Sequence, residues 1–204
     1  MTAADRIGII VLGAGLSRRM GQPKQLLPLG GQTVLGSTLA AAAASGLPVR
    51  AVIGEPRQEL AALCDAALVP WIYNETAALG QAESVRLAVR TWRKEFDGLL
   101  FLAGDMPFIE SALLVRLAGL LDSAQTIARP FYQGIPQNPV LFGSYWYDAL
   151  EALTGDTGGR SLLKGKEVRR LDWPRFCFMD IDTPQAYEQA KEVYHAGTID
   201  PRGR

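Results

Sequence analysis

One stretch, residues 7–28 (IGIIVLGAGLSRRMGQPKQLLP), constrains this chain more than any other. Ile7, Ile9, Ile10, Val11 and Leu12 form an apolar, largely β-branched run interrupted only by Gly8. Such a run suits a strand buried on both faces of a parallel sheet, since a strand with one wet face would alternate. The run then breaks into Gly13, Ala14, Gly15 and Gly21, with Ser17, Arg18, Arg19 and Lys24 set among them. A glycine-rich turn at the end of a buried strand lets backbone N–H groups approach phosphates, because no Cβ blocks the anion. Arginine beside it is a two-pronged donor, and lysine a mobile point charge. The stretch reads as a nucleotide-phosphate loop.

Two better-known loops are excluded. The dinucleotide pattern G-x-G-x-x-G would start at Gly13 and Gly15, but its third glycine position holds Arg18. The mononucleotide pattern G-x-x-x-x-G-K-[ST] fails because Gln22 follows Gly21 and Lys24 comes later.

The rest of the chain supplies alternating elements. Helices are expected over 33–44 with Thr33 as N-cap, over 58–63, and from Gly80 to about Trp92. Further helices are expected over 111–121 with Ser111 as cap, over 145–153, and from Pro184 to about His195. Strands are expected over 49–53, 69–73, 99–103, 126–129, 140–142 and 176–181. This alternation predicts an α/β fold of three layers, a mostly parallel sheet with helices on both faces in a Rossmann-like arrangement. Ligands of such sheets sit beyond the carboxyl ends of the strands. The 204 residues suit one domain, expected to span 1–196 and to be followed by a disordered tail over 197–204.

Charge and cysteine content narrow the class. Lys plus Arg number 21 and so do Asp plus Glu, so no global field draws the chain to nucleic acid or a membrane surface. No apolar run approaches the roughly 18 residues of a membrane span, and Met1 is not followed by a basic region and apolar core. Cys64 and Cys177 lack metal-ligand spacing and read as buried thiols. A cytoplasmic protein is expected.

Carboxylates complete the chemistry. Asp105 ends the apolar string LFLAGDMPFI. Alone it could be a turn aspartate of G-D-x-P; facing a triphosphate loop, it reads as a hard-oxygen ligand for Mg²⁺. Near the C terminus, MDIDTPQAY puts Asp180 and Asp182 at alternate positions, on one side if a strand persists there. Asp182 or Thr183 could instead cap the final helix, and the spacing does not choose between the two aspartates as a metal ligand.

The string Leu12–Pro28 resembles the signature of nucleotidyltransferases that activate small molecules with NTPs, most closely the molybdenum cofactor cytidylyltransferases. Their pattern is L-A-A-G-x-S-x-R-M-G-x-x-K-x-L-L-P, and this chain departs at Gly13. ALGQAESVRLAV resembles the segment that closes over the base, which puts Gly80, Gln81 and Ser84 along a base edge; the same residues also suit an ordinary helix start. GIPQNPVLF resembles G-x-x-x-H-P-V-L-F with Asn138 in place of histidine, and GDTGGR resembles G-D-x-G-A-R with Gly159 in place of alanine. LAGDMP and MDIDTPQAY match the family's metal-binding segment and its D-x-D-T-P-x-x-Y.

The resemblance implies Mg²⁺-dependent transfer of CMP from CTP to molybdopterin with release of pyrophosphate. Arg19, Lys24 and Asp105 would be catalytic, and Leu12, Ala14, Gly15, Gly80, Gln81 and Ser84 would join Arg19 and Lys24 in nucleotide binding. Asp105 and Asp182 would hold the metal. Asn138 and Arg160 would hold the acceptor, although Arg160 could equally be half of a surface ion pair. Bulk at Gly13, Ala14 and Ser84 would set the room for the base. A molybdoenzyme or its chaperone would receive the product. The sister guanylyltransferases, which use GTP, have L-A-G-G followed by D-K; Ala14 before Gly15 and Pro23 before Lys24 favour cytidine. A non-catalytic molybdopterin carrier would lack the phosphate and metal groups, whereas Arg19, Lys24, Asp105 and Asp182 are all present.

Overall fold

The organising strand forms as its composition dictates. In a computed structural model describing residues 6–156, 158–174 and 177–195, β1 runs Ile7–Gly13 at the heart of the sheet. Ile9, Ile10 and Val11 are wholly buried, each stabilising the fold by about 1.5–3 kcal/mol through its burial. Gly8 is required there, since a Cβ would lie 2.6 Å from the Phe96 ring.

The elements follow in order: β1, β2 (Pro28–Leu29), β3 (Gln32–Thr33), α1 (Val34–Ala43), β4 (Val49–Ile53), α2 (Arg57–Ala66) and β5 (Trp71–Tyr73). Then come α3 (Gln81–Trp92), β6 (Gly98–Ala103), α4 (Ser111–Ala118), β7 (Ile127–Tyr132), β8 (Ile135–Pro136) and β9 (Val140–Gly143). The chain continues with α5 (Tyr147–Glu151), β10 (Arg169–Asp172) and α6 (Pro184–His195). The main sheet has the order β10-β7-β9-β6-β1-β4-β5, with β8 paired to β7. β6, β1, β4 and β5 are mutually parallel, and β10 is parallel to β7, whereas β9 runs antiparallel to both neighbours. The sheet is therefore mostly parallel, as expected, with β9 and the short β8 reversed.

Helices cover both faces. Leu35, Leu39, Leu60, Cys64, Leu113 and Leu117, from α1, α2 and α4, pack with Ile9 and Val11 on one side. Val85, Val89 and Trp92 of α3 and Leu150 of α5 pack with Ile10, Leu99 and Phe101 on the other. A third cluster joins α6, through Ala190, to Met20, Leu29 and Phe108. It fastens the last helix beside the glycine loop, helped by the Tyr194 hydroxyl donating to Gly30 O at 2.8 Å. Both cysteines are buried and outside any disulfide, and burial pushes the Cys64 thiol up to about 12.

Two expectations need correction. Ser111 does not cap α4: the helix starts at Ser111, Glu110 holds the cap position, and no side chain caps it. Residues 177–181 are not a strand (Phe176 lies outside the described residues); the missing edge strand is β10, whose RRLD sequence exposes three of four positions and so lacks an apolar signal. Residues 197–204 also lie outside the described residues.

Candidate functional site

The glycine loop leaves β1 and is shaped by a residue inside the motif that the sequence reading passed over. Gln25 is almost fully buried. Its Nε2 donates to Gly13 O at 3.1 Å and Gly15 O at 2.7 Å, while its Oε1 accepts from Ser17 Oγ at 3.1 Å. Ser17 adopts φ 51°, and its Oγ also accepts from Lys24 N at 3.0 Å. One amide thus pins the turn from inside. The signal was available only as a polar residue flanked by leucines, and a pattern of types does not show which polar residue is buried.

Lys24 opens a short 3₁₀ turn and is itself buried, with its ammonium directed to the ends of two other elements. It contacts Asp105, just beyond β6, and Asp182 Oδ1 at 2.5 Å, just before α6. Arg19 Nη2 meets the second oxygen of Asp182 at 2.7 Å. The two carboxylates are brought together by the backbone, where Ile181 N donates to Asp105 O at 3.1 Å. Thr183, not Asp182, caps α6, accepting from Ala186 N at 3.1 Å, which leaves the Asp182 carboxylate to face the cleft. Asp180 lines the same cleft, although no strand aligns it with Asp182.

Burial raises the Asp105 carboxyl above its usual range, with Lys24 opposing and Asp182 and Asp180 reinforcing the rise. Burial also pushes Asp182 up, but the hydrogen bond and charge of Lys24, with Arg19, outweigh it and leave the group below its usual range. Lys24 loses hydration, yet its two carboxylates more than restore the charged form and raise it. The result is a cation clamped between two acids.

These donors fit a hard divalent cation. Asp105 Oδ1 is buried with no hydrogen-bond partner, a free lone pair beside a second carboxylate. Among the described residues no group of three or more His, Cys, Asp or Glu side chains could hold a metal. A cation here would therefore draw its remaining oxygens from water and phosphate, as Mg²⁺ commonly does.

The cleft has a volume of 760 Å³, within the range of small-molecule sites. Leu12, Ala14, Gly15, Arg19 and Lys24 line it, together with Gly80, Gln81 and Ser84. Asn138, Arg160, Asp105 and Asp182 border the same cleft. Gly13 does not line it: a Cβ there would make ordinary contacts, at 3.5 Å, with Leu35 and Val52 O, so Gly13 does not set the room for a base.

Gly80 is glycine because of the protein itself. It has φ 123°, and a Cβ would lie 2.3 Å from Gly155 O. The start of α3 is thereby locked to the 155–160 loop, with Ala82 N donating to Gly155 O at 3.1 Å. Ser84 Oγ accepts from the buried Asn74 Nδ2 at 2.9 Å, leaving its own proton to donate elsewhere. Phe101 and Phe142, which the motifs did not mark as site residues, meet edge to face at 6.2 Å and give the cleft an aromatic floor. Among the described residues Arg160 makes no ion pair; its Nε donates to Asn138 Oδ1 at 3.3 Å, so the two residues expected at the acceptor touch.

Among the described residues no helix is long and apolar enough to cross a membrane. The family model of the MobA-like NTP transferase domain matches residues 9–171. The chain is 30% identical to the purine catabolism protein PucB of Bacillus subtilis (strain 168), over 90% of this chain and 95% of that one. It is 28% identical to the molybdenum cofactor cytidylyltransferase of Escherichia coli (strain K12), over 92% of this chain and 97% of that one. The structure of Rv0371c from Mycobacterium tuberculosis H37Rv, in complex with manganese, is 27% identical with a TM-score of 0.79, covering 92% of this chain and 98% of that one. The chain belongs to the MobA-like NTP transferase family and is an enzyme of the nucleotidyltransferase type.

Proposed function

We propose that the protein transfers CMP from CTP to molybdopterin and releases pyrophosphate. The observation that carries the reading is the meeting of Lys24 with Asp105 and Asp182 at the mouth of the glycine loop. That arrangement suits a triphosphate and its counter-cation. The similarity to a molybdenum cofactor cytidylyltransferase supports cytidine and molybdopterin as the substrates.

In this reading Lys24 and Arg19 turn from the carboxylates to the triphosphate, and the backbone of Ala14 and Gly15 cradles it beside Leu12. Gly80, Gln81 and Ser84 border the base. Asp105 and Asp182 hold Mg²⁺, which when bound neutralises charge on the triphosphate. Asn138 and Arg160 hold the acceptor so that a phosphate oxygen of molybdopterin faces the α-phosphorus. That oxygen forms the new bond to phosphorus in line as the bond to the β-phosphate bridge oxygen breaks and pyrophosphate leaves. A phosphate dianion is already a nucleophile, so no general base is needed, and catalysis is positioning and charge neutralisation.

The protein acts in the cytoplasm as one domain over residues 1–196 and passes its product to a molybdoenzyme or its chaperone. The test mixes protein, Mg²⁺, CTP and molybdenum-loaded cofactor and follows pyrophosphate. Release should require all four components. Nucleotide and cofactor binding without pyrophosphate release would instead identify a carrier.

A further inference from the structure

Arg129 on β7 is a buried cation without a counter-charge among the described residues. It is 9% exposed, and its Nε donates to the carbonyl of Gln137 at 2.9 Å. Its neighbours in the strand settle its direction. Ala128 packs in the cluster under α1, α2 and α4, and Ile127 in the opposite cluster with Val140 and Phe142. Alternation therefore turns Arg129 to the face of Val140 and Phe142, both of which border the cleft, although Arg129 is not itself among the residues that line it.

Arg160 approaches the same loop from the other side, with its Nε on Asn138 Oδ1. The two guanidiniums thus grip consecutive residues, Gln137 and Asn138. They are close enough for Arg160 to disfavour the charge on Arg129, which burial already depresses. Neither is paired with a carboxylate among the described residues. Arginine is almost never buried unless paired, and like charges held together in a partly dry site are costly. Each Nε is already committed to the loop, so the terminal amino groups remain for a ligand, in the geometry that suits an oxyanion.

We propose that Arg129 and Arg160, with Asn138 between them, form a subsite for a dianionic phosphate group carried by the acceptor. Giving that anion to the acceptor rests on the transfer reaction above; the anion site itself does not. A purely structural Arg129 would hold the Gln137 carbonyl and do nothing more.

The experiment fills the nucleotide end first, with α,β-methylene-CTP and Mg²⁺ at saturation, and then titrates inorganic phosphate by calorimetry. The parent should bind phosphate saturably. Arg129→Met and Arg160→Met should each weaken binding at least tenfold, and Arg129→Lys, which keeps the charge, should lose less. Circular dichroism checks folding; if Arg129→Met does not fold, Arg160→Met on the exposed side of the pair decides. Acetate at equal ionic strength should give no saturable heat. Parent-like phosphate binding in the folded Met variants, or equal binding of acetate and phosphate, would overturn the subsite. If the analogue itself does not bind, the nucleotide reading fails. Phosphate is then titrated into the protein alone, where loss of binding in the two Met variants still supports the arginine pair and parent-like binding still overturns it.

Discussion

Lys24 and Asp182 lie 158 positions apart in the chain, yet Lys24 Nζ is 2.5 Å from Asp182 Oδ1. The same ammonium contacts Asp105, so one cation ties the glycine loop to the ends of β6 and of the 177–183 segment. Three distant motifs become one site through this side chain.

Asp105→Asn keeps the shape of the side chain and removes its charge. Turnover at saturating CTP and Mg²⁺ should fall at least a hundredfold, about 2.7 kcal/mol of barrier. CTP binding, followed by calorimetry, should persist in part because the loop is untouched. Near-normal turnover in the variant would reduce Asp105 to a turn residue.

Asp182 carries a pH signature. Its folded carboxyl sits below its ordinary value of 3.8, held down by Lys24 and Arg19 against the effect of burial. The stability it contributes is therefore present above that ordinary value and lost as pH falls through the folded one. Asp182→Asn should cost about 1 kcal/mol at neutral pH, screening included because the side chain is 35% exposed. The gap from the parent should close on acidification below the ordinary carboxylate value. Urea unfolding at both pH values measures it; a gap that does not change with pH would contradict the assignment.

Gln25→Leu fits the volume but leaves the carbonyls of Gly13 and Gly15 without their partner. Unsatisfied groups of this kind cost about 1–3 kcal/mol each when buried. The variant should unfold at lower denaturant and show a raised KM for CTP, with the acceptor KM little changed. Unaltered stability and KM would show that the loop holds its shape without the amide.

Much of this was legible in the sequence, for reasons that differ by residue. β1 was legible because a strand buried on both faces must be continuously apolar. Asp105 and Asp182 were legible because each follows an apolar run inside a motif, although the strand expected over 176–181 is irregular chain over 177–181. β10 was missed because an edge strand exposes Arg169 and Arg170 and carries no hydrophobic period. Gln25 and Arg129 were missed because burial of a single polar side chain depends on tertiary neighbours. Gly80 was marked for a close approach to the base, and the fold adds a reason for glycine that the sequence did not show, the close approach of Gly155.

Asn138 touches Arg160 and borders the cleft. Asn138→Ala should raise the acceptor KM about fivefold, the equivalent of about 1 kcal/mol for one lost hydrogen bond. The CTP KM should hold. Initial rates with each substrate varied in turn will check this, and a change confined to CTP would move Asn138 to the nucleotide end.

The central claim is cytidylyl transfer. The direct measurement is kcat/KM for CTP and for GTP with Mg²⁺ and molybdenum-loaded molybdopterin, read as pyrophosphate release. CTP should be favoured at least tenfold, about 1.4 kcal/mol of transition-state discrimination. Equal values, or a preference for GTP, would contradict the cytidine assignment while leaving the fold and family in place.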